Sequence, residues 1–182
     1  MVRTAEVVTP NHPDKICDRI SDAILDECLK QDPDTRAAIE TMGGHGIITV
    51  TGELTTKAFV DVPEVVKRVY GKDIGVQTNI VRQSPEIAQG VDTGGAGDQG
   101  IMIGYACNDN SDYVPEEYYL ARKLAQFIYR EYPYDGKTQV TLLDNKNIIV
   151  VASFCCTPTD ELIKMCMTFF KSTDYHIEEL HC

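Results

Sequence analysis

Apolar positions recur at helical spacing from residue 16 onward, where Ile16, Cys17, Ile20, Ile24 and Cys28 form one stripe. Asp18, Arg19, Asp22, Asp26 and Lys30 take the other faces, so the pattern predicts an amphipathic helix ending near Gln31-Asp32-Pro33. An extended segment through Val8 precedes it. Residues 36–42 and 47–54 read as two strands joined by the turn Gly43-Gly44-His45-Gly46. Asp61 caps a second helix, with Glu64 three residues on, Val62, Val65, Val66 and Val69 on one face, and Gly71 closing it. Residues 76–81 give the next strand.

The same order then recurs. A strand over 100–106, a helix over 115–130 and a strand over 137–143 lead to the turn Asp144-Asn145-Lys146-Asn147 and a strand through Ala152. Thr157-Pro158 opens another helix, with Leu162, Ile163, Cys166 and Phe169 on its buried side. The last strand of this second unit is missing or reduced to the tail. The expectation is an α+β fold of repeated β-α-β-β-α-β units, each a mixed sheet with helices on one face. Residues 1–98 form the first unit with a mobile glycine-rich loop, and 99–182 the second, incomplete one.

Composition narrows the function only by exclusion. A net charge of −11 argues against nucleic acid as a main partner, because phosphate neutralisation needs basic patches. No run approaches the roughly 20 apolar residues that span a bilayer. The start lacks a basic region followed by an apolar stretch, so no secretory signal is expected and the chain reads as cytoplasmic. Seven cysteines, including adjacent Cys155-Cys156, show no paired metal spacing and read mainly as small, reduced, buried hydrophobes.

Chemistry enters with His12-Pro13-Asp14-Lys15 at the mouth of the first helix. Helix N-termini present free N–H groups and the positive end of the dipole, so the string is either a capped, solvated helix end or a phosphate and metal site. Further on come Gly52-Glu53-Leu54-Thr55 and the run Gln83-Ser84-Pro85-Glu86-Ile87-Ala88-Gln89-Gly90-Val91. Gly94-Gly95-Ala96-Gly97-Asp98-Gln99-Gly100 follows. Clustered glycines let a backbone approach a ligand closely or form a mobile lid. This ordered set resembles methionine adenosyltransferase, which makes S-adenosylmethionine from ATP and methionine. The resemblance runs from Val8 to about Val151.

The resemblance implies roles for particular residues. His12 matches the histidine that hydrogen-bonds the triphosphate near the breaking bond, and Lys15 is a phosphate contact beside it. Asp14 matches a magnesium ligand, and Glu40 matches the glutamate of a potassium site. Glu53 matches the glutamate that binds the methionine ammonium. Gln83 matches a methionine-contacting glutamine at the start of a loop, 83–93, that closes over substrates. Asp98 matches a substrate-contacting aspartate counted with the ATP site, and Asp135 and Lys137 match the aspartate and lysine that hold ATP. The implied cofactors are Mg2+ and K+, and the substrates are ATP and L-methionine.

Departures matter equally. The family has Ser-Glu-Gly before its histidine, whereas Thr9-Pro10-Asn11 stands here. Phe154-Cys155-Cys156 replaces a strand that continues into a histidine and paired glutamates. Two of the family's three repeated units are present. The Thr-Gly-Arg-Lys segment and the Gly-Gly-Gly-Ala-Phe-Ser-Gly-Lys-Asp motif, which carry phosphate-binding cations, are absent. The expectation is therefore a subunit inactive as an isolated monomer, its site completed by another chain in a hetero-oligomer, or alternatively in a homo-oligomer. The competing expectation is a non-catalytic regulatory or structural partner of a longer methionine adenosyltransferase.

Overall fold

The computed structural model describes residues 2–182. Two compact units emerge: Pro13–Met102, and the N-terminal residues through His12 together with Ile103–Cys182.

In the continuous unit, α1 (Pro13–Leu29) buries Ile20, Ile24 and Cys28, the stripe legible in the sequence. It packs on a three-stranded sheet of β2 (Arg36–Gly44), β3 (Ile47–Thr55) and β4 (Gly75–Val81), in the order β2-β3-β4. β2 and β3 pair antiparallel as a hairpin. The β3–β4 pairing is parallel, because α2 (Val62–Tyr70) carries the chain back across the sheet. Asp61 caps α2 by accepting the Glu64 N–H at 3.1 Å, and Gly71 closes it in the left-handed conformation. Ile20, Ile24, Ile48, Val50, Val65 and Val66 make the core between helices and sheet. Gly52 is required where β3 passes β2, since a Cβ there would stand 2.0 Å from the Ala38 carbonyl oxygen.

The discontinuous unit begins with β1 (Arg3–Val8), which is not in the first sheet at all. β1 pairs antiparallel with β5 (Gly136–Leu142), which pairs with β6 (Asn147–Phe154), giving the order β1-β5-β6-β7. A division at 98/99 would assign this strand to the other half. Alternation marks a segment as a strand but does not name its partner. β7 (His176–His181) pairs parallel with β6, so the strand read as missing or tail-like is a full member of the sheet. α4 (Glu116–Glu131) packs on β1 and β5, and α5 (Thr159–Lys171) on β6 and β7. Leu124, Ile128, Val140, Ile148 and Val150 are sealed from solvent between them.

Three local expectations change. The run 100–106 forms no strand, and Ile101, Met102 and Ile103 are each more than 90% exposed. A strand needs a partner edge, and this run pairs with none among the described residues. The segment after Gln83 contains a helix, α3 (Pro85–Asp92), capped by Ser84 accepting the Ile87 N–H at 3.3 Å. Ser before Pro is the helix-start signal that outweighs the single Gly90. Of the seven cysteines, all described, only Cys28 and Cys166 are buried, while Cys155, Cys156 and Cys182 are exposed.

Candidate functional site

The discontinuous unit carries the first hollow. Where β1 ends, the Thr9 N–H donates to the Gly136 carbonyl at 2.8 Å. The Thr9 hydroxyl accepts the Gly136 N–H and donates to the Tyr134 carbonyl, each at 2.9 Å. Thr9 is almost wholly buried, and these bonds satisfy it. The Asn11 amide adds a 2.7 Å bond to the Pro133 carbonyl, and the His12 N–H donates back to Thr9 at 3.1 Å. Residues 9–12 are thus stapled to residues 133–136. The staple sets His12 beside Asp135 and Lys137 around a hollow of about 400 Å³ that Ser153, Phe154 and Cys155 also line.

The floor depends on Gly136. A Cβ there would lie 2.5 Å from the Phe154 ring, so only glycine lets the aromatic close under the strand. Cys155 donates its N–H to the Asp135 carbonyl at 2.8 Å, tying the end of β6 to the same turn. Lys137 Nζ lies 2.9 Å from Glu6 across the β1–β5 pair, so the ammonium has a carboxylate partner in this state. Both side chains are half-exposed, which makes the pair weak and exchangeable.

The continuous unit carries a second hollow, of about 630 Å³, lined among others by Arg36, Thr55, Gln83, Gln89 and Asp92. β4 pairs Val81 with Glu53, so Gln83 follows two residues further along. Arg36 Nε, Thr55 Oγ1 and Gln83 Oε1 are buried atoms without a hydrogen-bond partner among the described residues. One donor, one acceptor and one hydroxyl held this way would be satisfied by a polar ligand or by water. Asp92 at the end of α3 forms an ion pair with Arg36, which closes one side of the hollow.

The other expected residues are not among those lining either hollow. Asp14 lies in the first turn of α1, and Lys15 pairs with Asp18 at 2.9 Å. The β2–β3 register sets Glu40 opposite Thr51 and Glu53 opposite Ala38, so both glutamates share one sheet face. Asp98 is exposed and accepts the N–H of its neighbour Gln99 at 2.7 Å. Carboxylates suit Mg2+ and K+ as hard-cation ligands, yet no cluster of three or more His, Cys, Asp or Glu among the described residues could cage a metal. No helix among them is long and apolar enough to cross a membrane.

Sequence reasoning missed Thr9, Asn11, Arg36 and Thr55. In the sequence Thr9 and Asn11 stand out only as departures from a motif, and nothing local announces a staple to residues 133–136. Arg36 and Thr55 sit at the two ends of paired strands, and only the hairpin register brings them together.

Residues 1–91 match the model for the N-terminal domain of S-adenosylmethionine synthetase, and residues 93–161 match the model for its central domain. The chain belongs to the S-adenosylmethionine synthetase family. It is 43% identical over 182 aligned positions to an S-adenosylmethionine synthase of Clostridium tetani, a match covering 80% of this chain and 46% of that protein. S-adenosylmethionine synthases of Brachyspira hyodysenteriae and of a Nocardioides species are each 42% identical over 174 positions, covering 76% of this chain and 44% of theirs. The chain thus spans about half the length of these S-adenosylmethionine synthases, and it contains two of the three domains of the family. The family models divide the sequence near residue 92, whereas the structural units divide at 102/103 and place β1 with the central domain.

Proposed function

We propose that this chain is a subunit of a methionine adenosyltransferase, making S-adenosylmethionine from ATP and L-methionine with release of phosphate and pyrophosphate. The observation that carries the reading is that His12, Asp135 and Lys137, distant in sequence, line one hollow. In this reading the methionine sulfur attacks the ribose C5′ and the triphosphate leaves. His12 donates a hydrogen bond to the departing anion, where negative charge develops and a placed donor is most effective. Lys137 exchanges Glu6 for phosphate, Lys15 gives a second phosphate contact, and Asp135 and Asp98 position the nucleotide. Glu53 holds the methionine ammonium, and Gln83 contacts the amino acid.

Mg2+ and K+ are the cations this reading implies, with Asp14 and Glu40 as single carboxylate donors to them. Mg2+ characteristically binds one or two carboxylates plus phosphate oxygens and water, so one carboxylate such as Asp14 suits it. Such a cation would supply charge neutralisation of the phosphates. A triphosphate is a multiple anion that cannot be buried uncompensated, and Lys15 and Lys137 do not balance it alone. In this reading further cationic groups complete the site from outside these 182 residues, and these residues by themselves are inactive. Soluble, cytoplasmic action in a hetero-oligomer or homo-oligomer follows from the same reading.

A second reading, a non-catalytic partner of a longer synthase, draws on one observation: both lysines already hold carboxylates, Asp18 and Glu6, at 2.9 Å. One assay separates the two. His12→Ala, in a complex with a full-length family member, is expected to lower turnover on the order of 10²-fold while assembly persists. Unchanged production of S-adenosylmethionine by that complex would leave the regulatory reading standing and remove the catalytic one.

A further inference from the structure

At the rim of the first hollow, β6 ends at Phe154 and two cysteines follow, both exposed. In an extended strand their side chains would point to opposite faces. Cys156 instead takes the left-handed conformation, with φ +58°, and the two sulfurs come within 3.7 Å of each other on one side of the chain. A non-glycine residue in that region is strained and persists only where its surroundings hold it, most often at functional sites. Here the hold is visible: the Cys155 N–H is bonded to the Asp135 carbonyl, and the Thr157 hydroxyl to the Cys155 carbonyl at 3.3 Å.

We propose that Cys155 and Cys156 form a two-thiolate site for a soft, thiophilic divalent cation such as Zn2+ or Cd2+. The spacing decides between this and a disulfide. Tetrahedral coordination with metal–sulfur bonds of about 2.3 Å sets two sulfurs about 3.8 Å apart, which is the separation present. A disulfide needs the sulfurs at about 2.05 Å and Cα atoms roughly 4.4–6.8 Å apart. Adjacent residues across a trans peptide are held at about 3.8 Å between Cα atoms, so the bond would close only with distortion. A chelated cation needs no movement of the backbone.

On binding, each thiol gives its proton to solvent as its sulfur donates a lone pair to the metal, so two protons leave for each divalent ion. With two protein sulfurs, the other coordination positions go to water or to a small ligand in the hollow. The sulfurs would take the cation whether or not that hollow binds nucleotide.

Titration of the fully reduced chain with Cd2+ tests this by the thiolate-to-cadmium charge-transfer absorption in the ultraviolet. One equivalent should bind with release of two protons, and excess Mg2+ should not displace it, since hard cations prefer oxygen. Cys155→Ser and Cys156→Ser should each weaken binding on the order of 10²-fold. Cys182→Ser should leave it unchanged, because the Cys166 thiol that Cys182 touches is buried and pushed up to about 12. Failure of the wild-type chain to give the band overturns the proposal, as does its persistence at full strength in the Cys155→Ser, Cys156→Ser double variant.

Discussion

The Thr9 hydroxyl accepts the Gly136 N–H at 2.9 Å, joining the end of the first strand to the start of the fifth. Between them the pair fixes the Tyr134–Gly136 turn from which Asp135 and Lys137 extend, and it does so with a buried group. Thr9→Ala removes one acceptor and one donor and leaves the Gly136 N–H unsatisfied. The expected cost is about 1–3 kcal/mol in a urea unfolding experiment, with Thr9→Ser recovering most of it. A Thr9→Ala chain as stable as wild type would show that the staple is dispensable.

Gly136→Ala should destabilise by about 1–3 kcal/mol, because its Cβ would fall 2.5 Å from the Phe154 ring. The cost belongs to the pair of residues and not to the backbone, so a smaller residue at 154 should relieve it. Unfolding of Gly136→Ala, Phe154→Leu and the double variant gives the coupling directly. Simple additivity of the two single effects is the outcome that would contradict the clash.

Asp32 predicts an acid limit to stability. Its buried carboxylate accepts the Lys57 N–H at 2.7 Å, the Thr56 hydroxyl at 3.1 Å and the Asp34 N–H at 3.3 Å. The Lys57 N–H is the largest influence in lowering its pKa, with the other two adding to it. A carboxylate lowered in the folded state adds stability above its unfolded value of about 3.9, lost as pH falls through the folded value. Asp32→Asn should be less stable than wild type at pH 6, and the gap should narrow as pH falls below about 3.9. A gap independent of pH would assign the effect to packing.

The Arg36–Asp92 ion pair holds α3 over the second hollow. Asp92 is more than half exposed, so the pair contributes no more than about 1 kcal/mol. Asp92→Asn should leave the global unfolding midpoint nearly unchanged while hydrogen exchange across 85–92 quickens several-fold. High salt should shrink the difference between variant and wild type. Equal exchange in both proteins at low salt would separate α3 from this contact.

Local elements were legible because their signals are local. The stripe Ile20, Ile24 and Cys28, the Asp61 cap and the Gly71 stop lie where pattern and capping rules put them. The hidden features are those made by distant partners: β1 joining β5, Thr9 bonding Gly136, and Arg36 meeting Asp92. Period-two alternation is blind to which edge a strand joins, and a threonine after a strand looks the same with or without a buried partner. For the candidate site, His12, Asp135 and Lys137 were named from a resemblance to a family. What their sequence positions did not reveal is that residues 9–11 hold them to one hollow.

The placement of β1 also bears on how the chain is made. Synthesis delivers β1 before the continuous unit, yet its one strand neighbour among the described residues, β5, leaves the ribosome after the whole of that unit has emerged. The continuous unit has its own core and every strand it needs, so it is free to fold while β1 waits as an unpaired edge. During that interval the row of open N–H and C=O groups on β1 is available to other nascent chains. The polar alternation of Thr4 and Glu6 with Ala5 and Val7 limits that hazard, and a chaperone that shields extended segments would act at this stage.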